Sequence, residues 1–304
     1  MKHIRVLTDN AVNVTQVSDI VQEFLELQRN GPIDLLGIGD AAGEYDYICK
    51  MRQGYVRTVC GILAAQPPPA KLLEIGPYLG IVALTLGKLG YEVSTLDLPV
   101  FANNPRLRSV LHRHGIETVG LDLCSLSPFP YSDAAFDMIV MCEVLEHLNA
   151  NPYPMIVECN RVLRQEGQLY IATPNATRLH NRLRMLFGAS IHEPVRFFRN
   201  QLDPEGTHSN VIVGFHWREY TSLELQDLVS DLGFAVEHHA YVAEPTARQT
   251  ALKRAILPTL YRVFPGLSSR QIVIARKTRS GEIRRSGYGA RYLLHQPAGV
   301  GPAE

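Results

Sequence analysis

A short apolar strand that runs into a glycine turn and then into a helix constrains this chain more than any other feature. Residues 72–75 form an apolar run of strand length, and the turn that follows contains Gly76 and Gly80. Apolar residues then recur at helical spacing, namely Ile81, Val82, Leu84, Leu86 and Leu89. In an open α/β sheet, this arrangement points backbone N–H groups and the positive end of a helix at a nucleotide-like ligand. The pattern therefore predicts a sheet with a ligand site at the end of its first strand.

Acidic residues follow the predicted strands at places where such a ligand would lie. Glu74 lies within the end of the first strand, and Asp97 ends the next strand candidate, residues 91–96. A carboxylate at the tip of the second strand is placed to accept hydrogen bonds from both hydroxyls of a ribose. A third strand near residues 116–120 leads to Asp122. The three acids are therefore expected at one edge of the sheet.

Further elements follow in the second half of the chain. Residues 136–142 predict a fourth strand, which runs into the sequence EVLEH, and a helical pattern that ends at Gly167 precedes a fifth strand at 168–175. The pair Thr221 and Glu224 has the spacing of a helix capping box. Residues 234–239 and 271–275 are interpreted as the closing strand pair of the sheet.

Taken in this order, the motifs resemble those of the class I S-adenosylmethionine-dependent methyltransferases. Residues 74–80 resemble the pattern E/D-x-G-x-G-x-G, although Tyr78 stands at the middle glycine, and residues 127–147 resemble the block PFP…FD-x-I…EVLEH. The resemblance covers residues 70–175 and implies a Rossmann-like seven-stranded α/β sheet with helices on both faces. It implies S-adenosyl-L-methionine as the cofactor, held by Glu74, Gly76, Gly80, Asp97, Asp122, Leu123 and Cys142.

The same resemblance divides the chain into a core and three additions. Residues 1–68 would form an N-terminal helical cap, and residues 69–277 the methyltransferase domain. Residues 176–215 interleave arginines with apolar side chains. They are interpreted as a lid inserted above the ends of the strands, with a solvated amphipathic helix as the alternative. Residues 278–304 are rich in arginine and glycine and predict a flexible tail.

Candidate catalytic groups cluster at the end of the fourth strand. The spacing E-x-x-E-H places Glu143, Glu146 and His147 within one turn, and His216 precedes the last helix. This set resembles the Glu, Glu, His and His ligands of the small-RNA terminal 2′-O-methyltransferases and the related region of ubiquinone-pathway O-methyltransferases. The resemblance implies that all four residues hold a divalent ion such as Mg²⁺ beside adjacent hydroxyls of the acceptor. The alternatives are metal-free catalysis, with His147 as the first candidate base and His216 as the second, and a structural role.

Composition indicates the cellular compartment of the protein and the class of partner that it binds. The formal net charge is zero, so the global basic field typical of a dedicated nucleic-acid-binding protein is missing. The five cysteines show no C-x-x-C spacing, which favours free thiols in a reducing compartment. The first residues carry no apolar signal core, and together these features predict a cytoplasmic protein.

The acceptor is predicted to be a small molecule or a glycan, methylated on a hydroxyl of a sugar or of a natural product. The arginines and aliphatic residues at 176–215 favour an acceptor with anionic and apolar parts, which includes a lipid-linked substrate or one at a membrane surface. The alternatives are N-methylation of an amino-sugar, 2′-O-methylation of RNA, and a cofactor-binding scaffold without activity. A bulky Tyr78 in the glycine turn would favour the last of these, because it could crowd the ligand.

Overall fold

A computed structural model describes residues 12–35, 41–125, 127–192, 194–196, 215–243 and 251–283. In these residues, the helices before the sheet are α1 (Val14–Asn30), α2 (Ala41–Lys50) and α3 (Arg52–Ala65). The later helices are α4 (Ile81–Lys88), α5 (Pro99–Ala102), α6 (Pro105–Arg113), α7 (Tyr153–Val162), α8 (Leu179–Leu186), α9 (Ser222–Asp231) and α10 (Ala251–Val263).

A seven-stranded mixed sheet forms the centre of the molecule. Its strands are β1 (Lys71–Ile75), β2 (Glu92–Asp97), β3 (Glu117–Gly120), β4 (Phe136–Cys142), β5 (Leu163–Pro174), β6 (Phe234–Val242) and β7 (Arg270–Lys277). Their spatial order is β3-β2-β1-β4-β5-β7-β6, with β7 antiparallel to both of its neighbours and the other pairs parallel. The strand order reverses between β1 and β4, and ligands bind at such a switch point in open α/β sheets. The Rossmann-like seven-stranded sheet predicted from the sequence is confirmed.

Helices cover both faces of the sheet, because the central strands are apolar on both sides. Along β4, Met138 and Val140 pack into a core shared with α1, α3 and α4. The alternate residues Ile139 and Met141 pack into a second core shared with α7 and α9. The N-terminal helices therefore bury one face of the sheet, close to the carboxyl ends of β1 and β4.

The junction between α7 and β5 differs from the expected one. The helix ends at Val162, before Gly167, and β5 begins at once with Leu163. Leu163 pairs with Phe136 while Gln168 pairs with Met138, so the extra residues between them form a bulge. The strand begins earlier than expected because Leu163 is fully buried and its backbone already pairs with β4.

The capping box is present, since Thr221 Oγ1 accepts from the Glu224 N–H at 3.2 Å and Glu224 Oε2 accepts from the Thr221 N–H at 2.8 Å. Within the described ranges, no helix is long and apolar enough to cross a membrane. Position 193 and residues 197–214 of the expected lid, and residues 284–304 of the expected tail, lie outside the described residues.

Candidate active site

The turn after β1 is built on two glycines with left-handed backbone. Gly76 has φ +70° and Gly80 has φ +73°, a region that side chains rarely adopt. A Cβ at Gly76 would overlap Val144 Cγ2, and one at Gly80 would lie 2.8 Å from Leu111 Cδ2. Tyr78, between them, also has a positive φ of +54°. The turn therefore tolerates a side chain at its middle position and excludes one at both glycines.

Two buried carboxyl groups face the cavity next to this turn. Asp97, at the end of β2, accepts hydrogen bonds from the Leu98 N–H at 2.7 Å and the Tyr78 N–H at 3.2 Å. Burial raises the pKa of Asp97 to about 7, although the Leu98 N–H opposes the shift. Burial also raises the pKa of Glu74 to about 8, and the charge of Asp97 adds to this effect. Glu74 Oε2 has no hydrogen-bond partner in the described part of the chain.

A cavity of about 830 Å³ at the carboxyl ends of the strands joins most of the predicted cofactor residues. It is lined by Glu74, Gly76, Asp97, Asp122, Leu123 and Cys142. Gly80 does not line it and instead packs near Leu111. The Asp122 carboxylate accepts the Cys124 N–H at 2.9 Å, which fixes the short 3-10 helix after β3. The structure therefore places six of the seven residues along one cavity wall.

A second set of polar residues lies on the β4 side of the same cavity. The short 3-10 helix Leu145–His147 follows β4, and the chain at residues 215–220 folds back onto it. The Trp217 N–H donates to the Glu146 carbonyl at 2.8 Å, and His147 Nδ1 lies 2.8 Å from the Phe215 carbonyl. One ligand atom each from Glu146, His147 and His216 then lie within 4.8 Å of one another.

Hydrogen bonds orient each member of this cluster. Because the Phe215 carbonyl can only accept, His147 Nδ1 carries the proton, and its Nε2 lies 4.0 Å from Glu146 Oε1. His216 Nδ1 is 3.2 Å from Glu219 Oε1. Thr173 donates to Glu146 Oε2 at 2.9 Å, and Glu146 Oε1 has no partner among the residues described. Outward N–H donation of this kind is the usual support for histidines that bind a metal through Nε2.

Burial sets the charge state of the two central groups. It lowers the pKa of His147 to about 4, and the nearby charge of His216 lowers it further while the Phe215 carbonyl opposes the change. Burial also raises the pKa of Glu146, against the hydrogen bond from Thr173. His147 is therefore neutral at physiological pH, which leaves a lone pair on Nε2 for a proton or a metal.

Glu143 does not join this cluster, although the sequence grouped it with the other three residues. It follows β4 with a positive φ of +58°, and its Oε1 lies 2.9 Å from Arg270 Nη1. Both side chains are about one-fifth exposed and line the cavity. The structure therefore brings together three of the four predicted metal ligands and pairs the fourth with an arginine. Metal binding itself stays a prediction.

The described part of the expected lid contributes one arginine to the cavity wall. Arg178 lines the cavity and pairs with Glu219 at 2.8 Å. Arg182 and Arg184 are absent from the cavity wall and donate through Nε to the carbonyls of Thr177 and Ser190, both at 2.7 Å. The assignment of residues 176–215 as a lid stays a prediction.

Sequence reasoning missed a set of cavity residues that come from elements distant in the chain. They are Tyr47, Tyr55, Arg57, Thr58, Phe101, Val242, Ser269, Arg270 and Ile272. Arg270 is the most informative of them, because it opens β7. An antiparallel strand starts at the edge where its parallel neighbours end, so its first residues reach the ligand site. The antiparallel direction of β7 is therefore the feature that points to Arg270.

A family model described as "Methyltransferase domain" matches residues 44–239, which is more than half of the chain. The chain belongs to this methyltransferase-domain family. The class I S-adenosylmethionine-dependent methyltransferase predicted from the sequence is thereby confirmed, and S-adenosylmethionine is the cofactor that the family implies.

Relatives of known name are similar to part of the chain. It is 32% identical over 175 residues to the mitochondrial ubiquinone biosynthesis O-methyltransferase of Rattus norvegicus, covering 55% of this chain and 45% of that protein. It is 29% identical over 140 residues to the ubiquinone biosynthesis O-methyltransferase of Maricaulis maris, covering 42% of this chain and 51% of that protein. The chain thus spans about half the length of these relatives.

A solved structure confirms the fold. A chain from the complex between the Haloferax volcanii Trm112 methyltransferase activator and a methyltransferase superposes with a TM-score of 0.52. The match covers 77% of this chain and 95% of that one at 13% sequence identity. At this identity the likeness concerns the architecture alone.

Proposed function

We propose that this protein transfers the methyl group of S-adenosylmethionine to a hydroxyl oxygen of a small, largely apolar acceptor. The observation that carries the proposal is the arrangement of one cavity. Its β1–β2 side holds Glu74 and Asp97, and its β4 side holds His147 and His216. The buried Glu146 lies next to His147 and His216. A methyl donor and a hydroxyl acceptor would meet between the two groups, as an in-line displacement requires.

The residues on the β1–β2 side fit the cofactor. The unpartnered Glu74 Oε2 and the cavity-lining Asp97 carboxylate offer acceptors to hydroxyl and amino groups. Gly76 lines the same side of the cavity, and its missing side chain makes room for Val144 behind the turn. When bound there, S-adenosylmethionine supplies an electrophilic methyl group, and the protein needs to provide only position and a base.

His147 is the proposed base. Its Nδ1–H donates to the Phe215 carbonyl, which leaves the Nε2 lone pair to take the proton of the acceptor hydroxyl. Its lowered pKa of about 4 keeps the ring neutral across physiological pH, and the same shift makes Nε2 a weaker base than an ordinary histidine. His147 Nε2 would take the hydroxyl proton while the methyl carbon exchanges its bond to sulfur for one to oxygen, with S-adenosylhomocysteine as the leaving group.

A divalent ion is the alternative proposal for the same cluster, because an ion bound to His147 Nε2 would occupy the lone pair that a base needs. Glu146 Oε1 is unpartnered in the described structure, and His147 and His216 both hold their Nδ1 atoms in other hydrogen bonds. These residues fit an ion, which would acidify and orient the acceptor hydroxyl. Because Glu143 is paired with Arg270, the donor set has two imidazoles and one carboxylate. That set suits Mn²⁺ or Zn²⁺ better than Mg²⁺, which prefers oxygen ligands.

The walls of the cavity favour an apolar acceptor over the sugar or glycan expected from the sequence. The part lined by the ends of β4 to β7 includes Val144, Leu148, Ala172, Val242 and Ile272. A sugar would leave several hydroxyls unpaired against such a wall, at a cost in binding. The relatives named for ubiquinone biosynthesis support a hydroxylated aromatic acceptor.

Exposed apolar side chains at the C-terminal end of α8 support an acceptor with an apolar tail or a lipid anchor. Arg178, the N-cap of α8, lines the cavity. Beyond it Met185, Leu186 and Phe187 are 64%, 75% and 81% exposed. An exposed apolar surface of this kind beside a binding cavity is typical of a contact site for an apolar partner.

Calorimetric titration with S-adenosylmethionine followed by an assay of S-adenosylhomocysteine formation tests the proposal. The acceptor panel contains alkylated catechols, free sugars, an amino-sugar and an RNA with 2′-hydroxyls, each with and without EDTA. We expect turnover on an alkylated catechol, and its loss in the His147→Ala variant.

Three results would contradict the proposal. Wild-type protein that does not bind S-adenosylmethionine would exclude the methyl donor. Turnover restricted to the amino-sugar or to RNA would exclude the apolar hydroxyl acceptor. Turnover that survives in His147→Ala would exclude the proposed base, while EDTA separates the metal-dependent form from the metal-free one.

A further inference from the structure

Three aromatic side chains that line the cavity contact one another in a row. The ring of Tyr78 lies 5.7 Å from that of Tyr47 and 6.2 Å from that of Phe101, with interplanar angles of 80° and 88°. All three side chains line the cavity. Tyr47 belongs to α2 in the N-terminal helices, and Phe101 to α5, which follows Asp97. Tyr78 therefore connects Tyr47 of the N-terminal helices to Phe101. Both lie in the cofactor half of the cavity, the part on the β1–β2 side next to Glu74 and Asp97.

The chain keeps Tyr78 at a position where glycine would be less strained. A φ of +54° brings a side chain close to the backbone carbonyl, a conformational cost that glycine avoids. The Tyr78 N–H donates to Asp97 Oδ2 at 3.2 Å, so any residue at this position could supply that bond. What only an aromatic residue supplies is the pair of ring contacts. Strained residues of this kind cluster at functional sites.

The two ends of the row differ in exposure. Phe101 is buried, at 5% exposure, and fixed in the core, whereas Tyr47 is 49% exposed. A ligand in the cofactor half would lie beside the Tyr47–Tyr78 contact, because the same turn and Asp97 form its wall. The exposed ring of Tyr47 then has apolar surface left to bury against the ligand.

We propose that Tyr47 and Tyr78 are cofactor-positioning residues that act as one pair, which retains S-adenosylmethionine in its half of the cavity. The proposal rests on the function proposed above. The ring contact holds α2 against the turn after β1, and the cofactor leaves when this contact opens. The retaining contact is the one between the two rings, so the loss of either ring removes it.

Surface plasmon resonance on the immobilised full chain tests the pair, with S-adenosylmethionine and S-adenosylhomocysteine as the probes. An edge-to-face contact is worth enough to change a rate by roughly 2- to 10-fold. We expect Tyr47→Ala and Tyr78→Gly each to speed dissociation by about that factor. The double variant should dissociate no faster than the faster single variant, because the first change already breaks the pair.

Two controls separate retention from a general loss of structure. Asp46→Ala changes an exposed neighbour on α2 and should leave the dissociation rate unchanged. Tyr78→Phe keeps the ring and should behave as the wild type does. Thermal unfolding should change little in Tyr78→Gly, because glycine relieves the strain at φ +54° while it adds freedom to the unfolded chain.

Two outcomes would overturn the pair while leaving the proposed function intact. The first is an unchanged dissociation rate in Tyr47→Ala. The second is a double variant whose acceleration equals the product of the two single effects, since that result describes two independent contacts. Wild-type protein that binds neither probe would overturn the proposed function itself, and the pair with it.

Discussion

The imidazole rings of His147 and His216 meet edge to face with their centroids 4.8 Å apart, although the whole lid segment separates them in the chain. Glu146 lies on the same side, and its main-chain carbonyl accepts the Trp217 N–H at 2.8 Å. Backbone contacts therefore place the second histidine beside the first, so the fold itself supports the cluster. A preformed cluster loses little entropy when it takes a ligand or a proton.

Metal affinity should depend on Glu146 and hardly on Glu143. Because Arg270 pairs with Glu143, we expect Glu143→Gln to change the Mn²⁺ dissociation constant by less than about threefold. Glu146→Gln removes a direct ligand and should weaken Mn²⁺ binding by more than roughly 10-fold, since the loss of outer partners alone reaches that size. Calorimetry on both variants, with Mg²⁺ as the weaker-binding comparison, measures the difference. Equal losses in the two variants would restore Glu143 as a fourth ligand.

Cofactor affinity should depend on Asp97. Hydrogen bonds to a charged group contribute about 1.5–3 kcal/mol. Asp97→Ala should therefore weaken S-adenosylmethionine binding by roughly 10- to 150-fold in calorimetry. Asp137→Ala is a suitable control. Asp137 is an acid near the amino end of β4, away from the site at the carboxyl ends of the strands, and it pairs with Arg164. Unchanged affinity in Asp97→Ala would remove this residue from the site.

The same carboxyl group predicts how affinity changes with pH. The raised pKa of about 7 means that Asp97 is largely protonated at pH 6 in the free protein. Hydroxyl donors favour the ionised form, so affinity should rise between pH 6 and 8 and then level off. Asp97→Asn should abolish this rise, and Glu74→Gln identifies any part that comes from Glu74, whose pKa is about 8. A flat profile in the wild type would show that Asp97 is already ionised.

The stability of the ligand-free protein should change with pH in the opposite direction to cofactor affinity, because of proton linkage at these two acids. Both have a folded-state pKa well above the ordinary value for a carboxyl group. At a pH between the ordinary pKa and the raised one, the folded state holds protons that the unfolded state has released. The free energy of unfolding should therefore be larger near pH 5 than near pH 8 as far as Glu74 and Asp97 contribute. Denaturant titrations of the wild type and Asp97→Asn at both pH values measure this contribution.

The sequence predicted the cofactor half of the site better than the acceptor half, for a physical reason. Glu74, Gly76 and Asp97 lie at or just beyond strand ends, where apolar periodicity and glycine turns mark the boundary within a few residues. Arg270 and Phe215 reach the site only through the packing of distant segments, and no local pattern encodes that packing. The pairing of Glu143 with Arg270 shows the consequence, because it removes a ligand that spacing alone would include.

The packing of the turn after β1 predicts the effect of adding a methyl group to its first glycine. Gly76→Ala adds a Cβ that overlaps Val144 Cγ2 at a φ of +70°. Gly115→Ala is a matched control, since Gly115 has φ +72° with nothing within 4 Å of the added Cβ. Both variants carry the cost of a side chain in the left-handed region, about 1–2 kcal/mol. Gly76→Ala should lose a further ~1–3 kcal/mol from the overlap. Urea denaturation measures both losses, and equal values would show that Val144 moves aside freely.

Acceptor binding should respond to Arg178 and much less to Arg182. Arg178 lines the cavity and pairs with Glu219, which also holds His216 Nδ1 at 3.2 Å. Arg178→Ala would leave Glu219 held by the Asn181 amide at 2.7 Å and by His216, and the cavity would lose a cation. We therefore expect the acceptor KM to rise by about 10-fold or more while cofactor affinity stays constant. Arg182→Ala is the control, because its guanidinium is exposed and donates to the Thr177 carbonyl. Steady-state kinetics with the acceptor found in the panel decide the matter. A larger KM change in Arg182→Ala than in Arg178→Ala would place the acceptor against the outer face of α8.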